Sequence, residues 1–172
     1  MHDEAPPELS DLLDQIAFFL AQPLDFTSTD PETTETKVRI LTAAAFYFNM
    51  LSVREFGGRL GAPRDHGLVE QVVAAAFQTF GGVDPHPGPF DKAAMLLRGI
   101  TQGHPFNDGN KRTGFLVAAY FLELMGYPSP DTLPVDAVVA FCLAVSAGDL
   151  RDVEAIAEKL WQFWSGDSEP AP

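Results

Sequence analysis

Apolar residues recur three and four positions apart through most of the chain, and the stretches between them are marked by Pro, Gly, Asp and Thr. Leu9, Leu12, Leu13, Ile16, Phe19 and Leu20 predict a first amphipathic helix up to a break at Pro23, after a polar, frayed start over residues 1–7. A Thr/Asp/Pro-rich linker is expected from Asp25 to Thr36. Val38 to Phe56, rich in Ala, Phe, Tyr and Leu, reads as a long, mostly buried helix that stops at Gly57-Gly58. Beyond a connection marked by Gly61, Pro63 and Gly67, Asp65 stands where it can cap a helix through Phe77, whose inward stripe is Leu68, Val69, Val72, Val73 and Ala76. Gly81 to Pro89 is predicted to be an irregular loop, and Asp91 is placed to cap the next helix, through Ile100.

The run from Phe115 to Leu122 is apolar on every side, with Glu123 its first charge, as expected of a central core helix. Pro128, Pro130 and Pro134 mark a loop and a helix start. Val135, Val138, Val139, Cys142 and Val145 then give an inward stripe that ends at Gly148. Asp149 is placed to cap a last helix carrying Leu150, Val153, Ile156, Ala157, Leu160, Trp161 and Trp164, and the two tryptophans are expected to pack at the core or its edge. Six or seven helices on short loops make an all-α fold. The expected organisation is an N-terminal extension over residues 1–36, one catalytic domain over 37–164 and a disordered tail over 165–172. There is no internal repeat, and no alternating strand pattern beyond short flap segments.

Composition narrows the function. The 172 residues carry 24 acidic against 11 basic side chains, a formal charge of −13, which argues against a general nucleic-acid surface. Hydrophobic content of 46% suits a globular core, no run approaches a membrane span, and the start of the chain is Asp-, Glu- and Pro-rich where a signal peptide would be basic and then apolar. A cytoplasmic location is the expectation that follows. Cys142, the single cysteine, lies in an apolar run and reads as a packed core thiol. His2, His66 and His86 have no partner at metal-ligand spacing.

The chemistry concentrates between Gly103 and Gly114, in the polar stretch GHPFNDGNKRTG set between two apolar runs. Its place before a buried helix puts Gly109, Asn110, Lys111 and Arg112 at a helix N-terminus, where unpaired N–H groups and a partial positive charge suit a phosphate; Asn110 is also placed to cap that helix. The imidazole of His104 can take a proton near neutral pH. Asp108 offers the hard oxygen that a phosphate-bound magnesium ion prefers. Arg112 can fork onto phosphate oxygens, and Lys111 supplies a point charge, with Arg64 and Arg98 as further basic residues for the pocket. A base, a metal ligand and an anion clamp together suit phosphoryl or nucleotidyl transfer to a hydroxyl. The plainer readings are a polar helix–helix turn, since N-D-G is ordinary turn chemistry, and a zinc pair of His104 and Asp108 that lacks further ligands nearby.

His104-Pro105-Phe106-Asn107-Asp108-Gly109-Asn110-Lys111-Arg112 resembles the signature of the Fic/Doc family, H-x-F-x-[DE]-G-N-G-R-x-x-R. Arg54-Glu55-Phe56-Gly57-Gly58, Arg64-Asp65-x-Gly67-Leu68 and Thr79-Phe80-Gly81-Gly82 are similar to the Doc, or death-on-curing, branch, and the likeness covers roughly residues 40 to 164. The resemblance implies an all-α helical bundle with a short flap near the active-site loop, Gly81 to Pro89 being the substrate flap. It implies His104 as base, Asp108 as magnesium ligand, Gly109 and Asn110 positioning the phosphates of ATP, Lys111 and Arg112 offsetting the transferred charge, and Phe106 as the loop's core anchor. Two residues depart from the adenylylating form: Lys111 stands at the second glycine of G-N-G and Phe115 at the last arginine. In the Doc branch, which shares that lysine, the nucleotide binds reversed and the γ-phosphoryl group is transferred. The implied function is a toxin kinase acting on a protein hydroxyl, with the elongation factor that delivers aminoacyl-tRNA as target and a cognate antitoxin as partner. Protein adenylylation is the rival enzyme, and a nucleotide- or partner-binding module without chemistry is the rival from another class. An inhibitory [ST]-x-x-x-E-[GN] helix is sought at Ser28 to Glu32, where Thr33 replaces the final residue and Pro31 is expected to break a helix.

Overall fold

The computed structural model describes residues 9–21, 25–58 and 66–166. Within them the chain forms seven helices: α1 (Leu9–Leu20), α2 (Pro31–Phe56), α3 (His66–Ala75), α4 (Pro89–Gly103), α5 (Asn110–Leu124), α6 (Val135–Ala147) and α7 (Val153–Ser165). The fold is all-α, as the periodicity predicts. The polar residues 1–8, the break at Pro23, the Arg64-Asp65 pair with its expected cap, and the tail beyond Gly166 lie outside the described residues.

Helix starts differ from expectation in an instructive way. α2 begins at Pro31, so the linker is shorter than Asp25 to Thr36. Asp30 takes the N-cap position and its carboxylate accepts a hydrogen bond from the Thr33 N–H at 2.9 Å. Pro31 sits in the first turn, where its missing N–H costs nothing, so it does not break the helix as expected. Position nevertheless rules out a self-inhibitory role for Glu32. It is exposed and stands 17 positions before Asn49 in the continuous helix α2, about 26 Å along the axis. α4 starts at Pro89 after Gly88, which makes Asp91 the third helical residue; its carboxylate accepts from the Gly88 N–H at 3.3 Å. α7 is capped by Asp152, whose carboxylate accepts from the Ala155 N–H at 3.0 Å, and not by Asp149.

α4 is the hub: it packs on α3, α5, α6 and α7, while α5 packs on α2, α4 and α6, and α1 covers α2. The run of Phe115 to Leu122 therefore shares the centre with α4, because one side of α5, carrying Phe115 and Leu116, opens onto a cleft. The α4–α5 crossing is tight. A Cβ at Gly114 would lie 2.7 Å from the Thr101 hydroxyl and 3.0 Å from the Leu97 carbonyl oxygen, so only glycine lets the two helices come this close. Leu96, Leu97, Ile100, Val117, Phe121, Leu122, Ile156 and Leu160 are fully buried around it. Each contributes on the order of 1.5–3 kcal/mol by leaving water.

The loop from Gly81 to Pro89 is more ordered than its composition suggests. Phe80 and Val83 exchange both backbone hydrogen bonds, at 2.9 and 3.0 Å, across Gly81 and Gly82 with φ of 59° and 81°. Two successive positive φ values make the tight hairpin turn for which Gly-Gly is suited. At the base of this flap Asp84 accepts from Lys92 of α4 at 2.5 Å and from the His86 N–H at 2.9 Å, which fastens the flap to the hub helix. The Lys92 hydrogen bond, the His86 N–H and the Lys92 charge outweigh partial burial and hold the Asp84 carboxyl below the usual range.

Candidate active site

α4 ends at His104, which adopts a left-handed conformation (φ 46°, ψ 51°). Among the described residues it is the one non-glycine with positive φ, a conformation uncommon outside glycine that concentrates at functional sites. The turn directs the chain away from α4 and leaves His104 exposed, while Pro105 and Phe106 plunge into the core. Phe106 is 3% exposed and meets Phe46 of α2 edge-to-face, ring centroids 5.6 Å apart. The anchor role expected of Phe106 is what the structure shows.

Asn110 turns out to be a brace. It is the first residue of α5, and the cap position belongs to Gly109 (φ 76°), with no side-chain cap bond. The Asn110 side chain is buried and clips the loop shut: its Oδ1 accepts from the Phe106 N–H at 3.0 Å and its Nδ2 donates to the Phe106 carbonyl at 2.8 Å. Its amide group is committed to Phe106, so any phosphate contact must come from its backbone N–H. A side chain cannot both cap the helix and hold the loop four residues back.

Asp108 is held from three sides. Its carbonyl oxygen accepts from Asn49 Nδ2 of α2 at 2.8 Å, and its Oδ1 accepts from the Gly109 N–H at 2.7 Å. Oδ2 lies beside Gly58, where a Cβ would approach it to 2.6 Å. Gly58 has φ 139°, so a side chain there is disfavoured by backbone and by space alike. Asn49, 8% exposed, also donates to the Thr113 hydroxyl at 3.1 Å, tying α2 to the first turn of α5.

Lys111 and Arg112 are exposed. The Arg112 guanidinium stacks 4.5 Å from the ring centre of Phe56, itself 66% exposed at the end of α2, a cation–π contact worth about 0.5–1 kcal/mol at such a site. Asp108, Gly109, Asn110, Lys111 and Arg112 line one side of a cleft of about 580 Å³, with Ser52 and Phe56 of α2 beside them and Val135, Val138, Val139, Cys142 and Leu143 of α6 opposite. His104 is not among the lining residues. Arg98 does not join the cleft: it donates to the Arg151 carbonyl at 3.0 Å, bracing the turn before α7. Arg64 lies outside the described residues.

The α6 wall corrects the expected inward stripe. Cys142 and Val145 are buried, but Val135 and Val139 are 70% and 51% exposed, as is Leu143 at 51%. A helix apolar on nearly every face offers no period from which to choose its inner side; α6 packs on α4 and α5 and turns Phe141 edge-to-face onto Phe163 of α7, ring centroids 5.5 Å apart. Burial pushes the Cys142 thiol up to about 11 against the pull of nearby Lys111, which keeps it protonated and inert. Trp164 packs as expected, its ring near Phe115 and Phe90 and its N–H donating to the Tyr127 carbonyl at 3.3 Å, while Trp161 stacks edge-on to Phe90 and is half exposed.

Asn49 and Ser52 carried no functional reading in the sequence. Asn49 is a lone amide inside the apolar run AFYFNML, and a polar residue buried in a helix is the signal that could have singled it out. Phe56 and Gly58 entered as a helix end and as part of the Doc-like stretch Arg54 to Gly58, without a role at the site.

The donor set suits a metal held through phosphate oxygens and water. Asp108 carries the one carboxylate among the described residues lining the cleft, so it is the side chain there that could hold such an ion.

The chain belongs to the Fic/Doc family, on its Doc toxin branch. The Fic/DOC family model matches residues 39–122, from α2 to the last turns of α5. Toxin Doc of Mycolicibacterium smegmatis is 38% identical over 108 residues, which make up 63% of this chain and 82% of that protein. Among the described residues no helix is long and apolar enough to cross a membrane.

Proposed function

We propose that this chain is a Doc-type toxin kinase that moves the γ-phosphoryl group of ATP to a hydroxyl of a protein. The observation that carries the reading is the open start of α5: Gly109 leaves the first-turn N–H groups without a side-chain cap, and Asp108, Lys111 and Arg112 face the same cleft. Such an end binds anions by its unpaired donors and its dipole. Lys111 in place of a glycine and Phe115 in place of a second arginine leave Arg112 as the one guanidinium on this wall, which favours phosphoryl over adenylyl transfer.

In this reading the Asp108 carboxylate, its backbone carbonyl fixed by Asn49 and its Oδ1 by the Gly109 N–H, would hold Mg²⁺, which would supply charge neutralisation of the phosphates. The first-turn N–H groups and Arg112 orient the phosphates. His104 takes the proton of the attacking hydroxyl as the new O–P bond forms and the bond to the β-phosphate oxygen breaks, releasing ADP. The flap ending at Phe80 and Val83, each more than two-thirds exposed, presents a strand edge and apolar side chains for the protein substrate. The target is the elongation factor that delivers aminoacyl-tRNA, and a cognate antitoxin is the partner that restrains the activity, covering the apolar α6 wall.

Intact mass spectrometry of that elongation factor after incubation with the chain, ATP and Mg²⁺ tests the reading, with His104→Ala as control. A phosphoryl-sized gain that the variant abolishes is expected. An adenylyl-sized gain would overturn the inference from Lys111, and ATP turnover without any gain on this target would send the search to another acceptor.

A further inference from the structure

We infer that Asn49 is the positioning residue for Asp108: from the C-terminal part of α2 it sets where the metal-binding carboxylate sits relative to the open end of α5. The inference deepens the reading of Asp108 as a magnesium ligand and rests on it. Asn49 lies 59 positions from Asp108 in sequence and belongs to a different helix, yet its buried Nδ2 donates both to the Asp108 carbonyl, at 2.8 Å, and to the Thr113 hydroxyl, at 3.1 Å. Those two acceptors flank Gly109. One amide therefore spans the left-handed turn that joins loop to helix, and a Cβ at Gly109 would come within 3.1 Å of that same nitrogen.

The geometry leaves the carboxylate little freedom. Once Asn49 fixes the Asp108 carbonyl, the Gly109 N–H takes Oδ1 and Oδ2 is left against the bare Cα of Gly58, without a donor among the described residues. Oδ2 is the oxygen available to an ion. Without Asn49 the peptide between Asp108 and Gly109 has no brace to α2, and the carboxylate can rotate with it. The loop's other anchors, Phe106 on Phe46 and Asn110 on the Phe106 backbone, act before Asp108 and do not reach it. Partners that orient metal ligands are worth roughly 10–100-fold in metal affinity or activity.

The test uses the full chain and two same-sized variants, Asn49→Leu, which removes the amide, and Asn49→Asp, which sets an acceptor against the Asp108 carbonyl. Calorimetric titration with ATP in Mg²⁺ and in EDTA is expected to show the wild type binding more tightly with the metal. Either variant should lose about tenfold of the affinity with Mg²⁺ while its metal-free affinity stays within about twofold. Hydrogen exchange of the ligand-free proteins should show residues 106–109 opening at least about tenfold faster in the variants, with α4 and α7 protected as in the wild type. A residue that only stabilised the fold would lower the melting temperature and leave the ratio of the two ATP affinities unchanged; that result, or unchanged exchange at 106–109, overturns the inference. Wild-type protein that binds no nucleotide in either buffer defeats the phosphotransfer reading instead, and the exchange comparison still decides Asn49.

Discussion

The N-termini of α2 and α7 are closed by aspartates, Asp30 on the Thr33 N–H and Asp152 on the Ala155 N–H, whereas α5 begins at a glycine with no side-chain cap and no acidic residue in its first turn. Lys111 and Arg112 occupy that turn instead, placing cations against the positive end of the dipole at a cost of about 0.3–1 kcal/mol each. The same peptide chemistry thus serves opposite ends. At α2 and α7 a carboxylate of the chain fills the helix start; α4 and α6 start without a side-chain cap but carry Asp91 and Asp136 in their first turns, and α5 alone among the described helices has Lys111 and Arg112 there, as the proposed phosphate site requires. Asp108 stands immediately before Gly109, yet its carboxylate turns back onto the Gly109 N–H and leaves the first-turn donors of α5 open.

The comparison is broken most severely at the proposed base, His104. His104→Ala should cut phosphoryl transfer by about 10²–10⁴-fold, with the melting temperature unchanged because His104 is exposed. A folded variant retaining transfer would refute the base assignment.

Lys111→Glu would give the start of α5 the acidic first-turn residue that Glu32 and Glu154 give α2 and α7. ATP affinity should fall about tenfold, equivalent to ~1.4 kcal/mol, as a fixed negative charge competes with phosphate. The mirror experiment, Asp152→Ala, should remove about 1 kcal/mol of stability in urea unfolding and leave ATP affinity as it was. Equal effects of the two substitutions on ATP binding would remove the distinction between open and closed ends.

Phe56→Ala should have a smaller effect, raising the ATP dissociation constant about two- to fivefold by freeing the Arg112 guanidinium from its ring, in line with a contact of about 0.5–1 kcal/mol. An unchanged dissociation constant would mean that the stacked arginine does not touch the nucleotide.

The mildest prediction concerns the closed end of α2. Hydrogen bonds from the Ser28 hydroxyl and from Thr33 hold the Asp30 carboxyl far below its ordinary 3.8. The unfolded chain therefore binds the proton first, so this contribution to stability is whole above pH 3.8 and is lost as pH falls through the folded value. Urea midpoints measured from pH 5 to pH 3 should decline more steeply for the wild type than for Asp30→Asn; parallel declines would show that the cap carries no such linkage.

Much of this was legible from residue order. The seven helices follow from apolar spacing, and the loop's chemistry from the abrupt polarity of His104 to Arg112. Phe106 was recognisable as an anchor because an aromatic among polar neighbours needs somewhere to bury itself. What failed did so for physical reasons. Asp149 and Asp152 are equally good caps in sequence, and only the path of the turn after Gly148 selects the second. Asn110 looked like a cap because asparagine favours that position, but its amide is taken by Phe106. Arg98 looked like a candidate for the cleft, and the placement of α7 gave its guanidinium a carbonyl instead.

The sequence by itself determined the elements, the reactive loop and the family, because helical periodicity and short-range turn chemistry are written within a few residues of one another. The tertiary structure alone decided which groups hold that loop in place. Asn49 and Gly58 lie against Asp108 from 59 and 50 positions away, and Val135, Val139 and Leu143 became a cleft wall because α6 turns Phe141, Cys142 and Val145 inward onto its neighbours. Contacts across such separations depend on how whole helices cross, and no local pattern of residues encodes that angle.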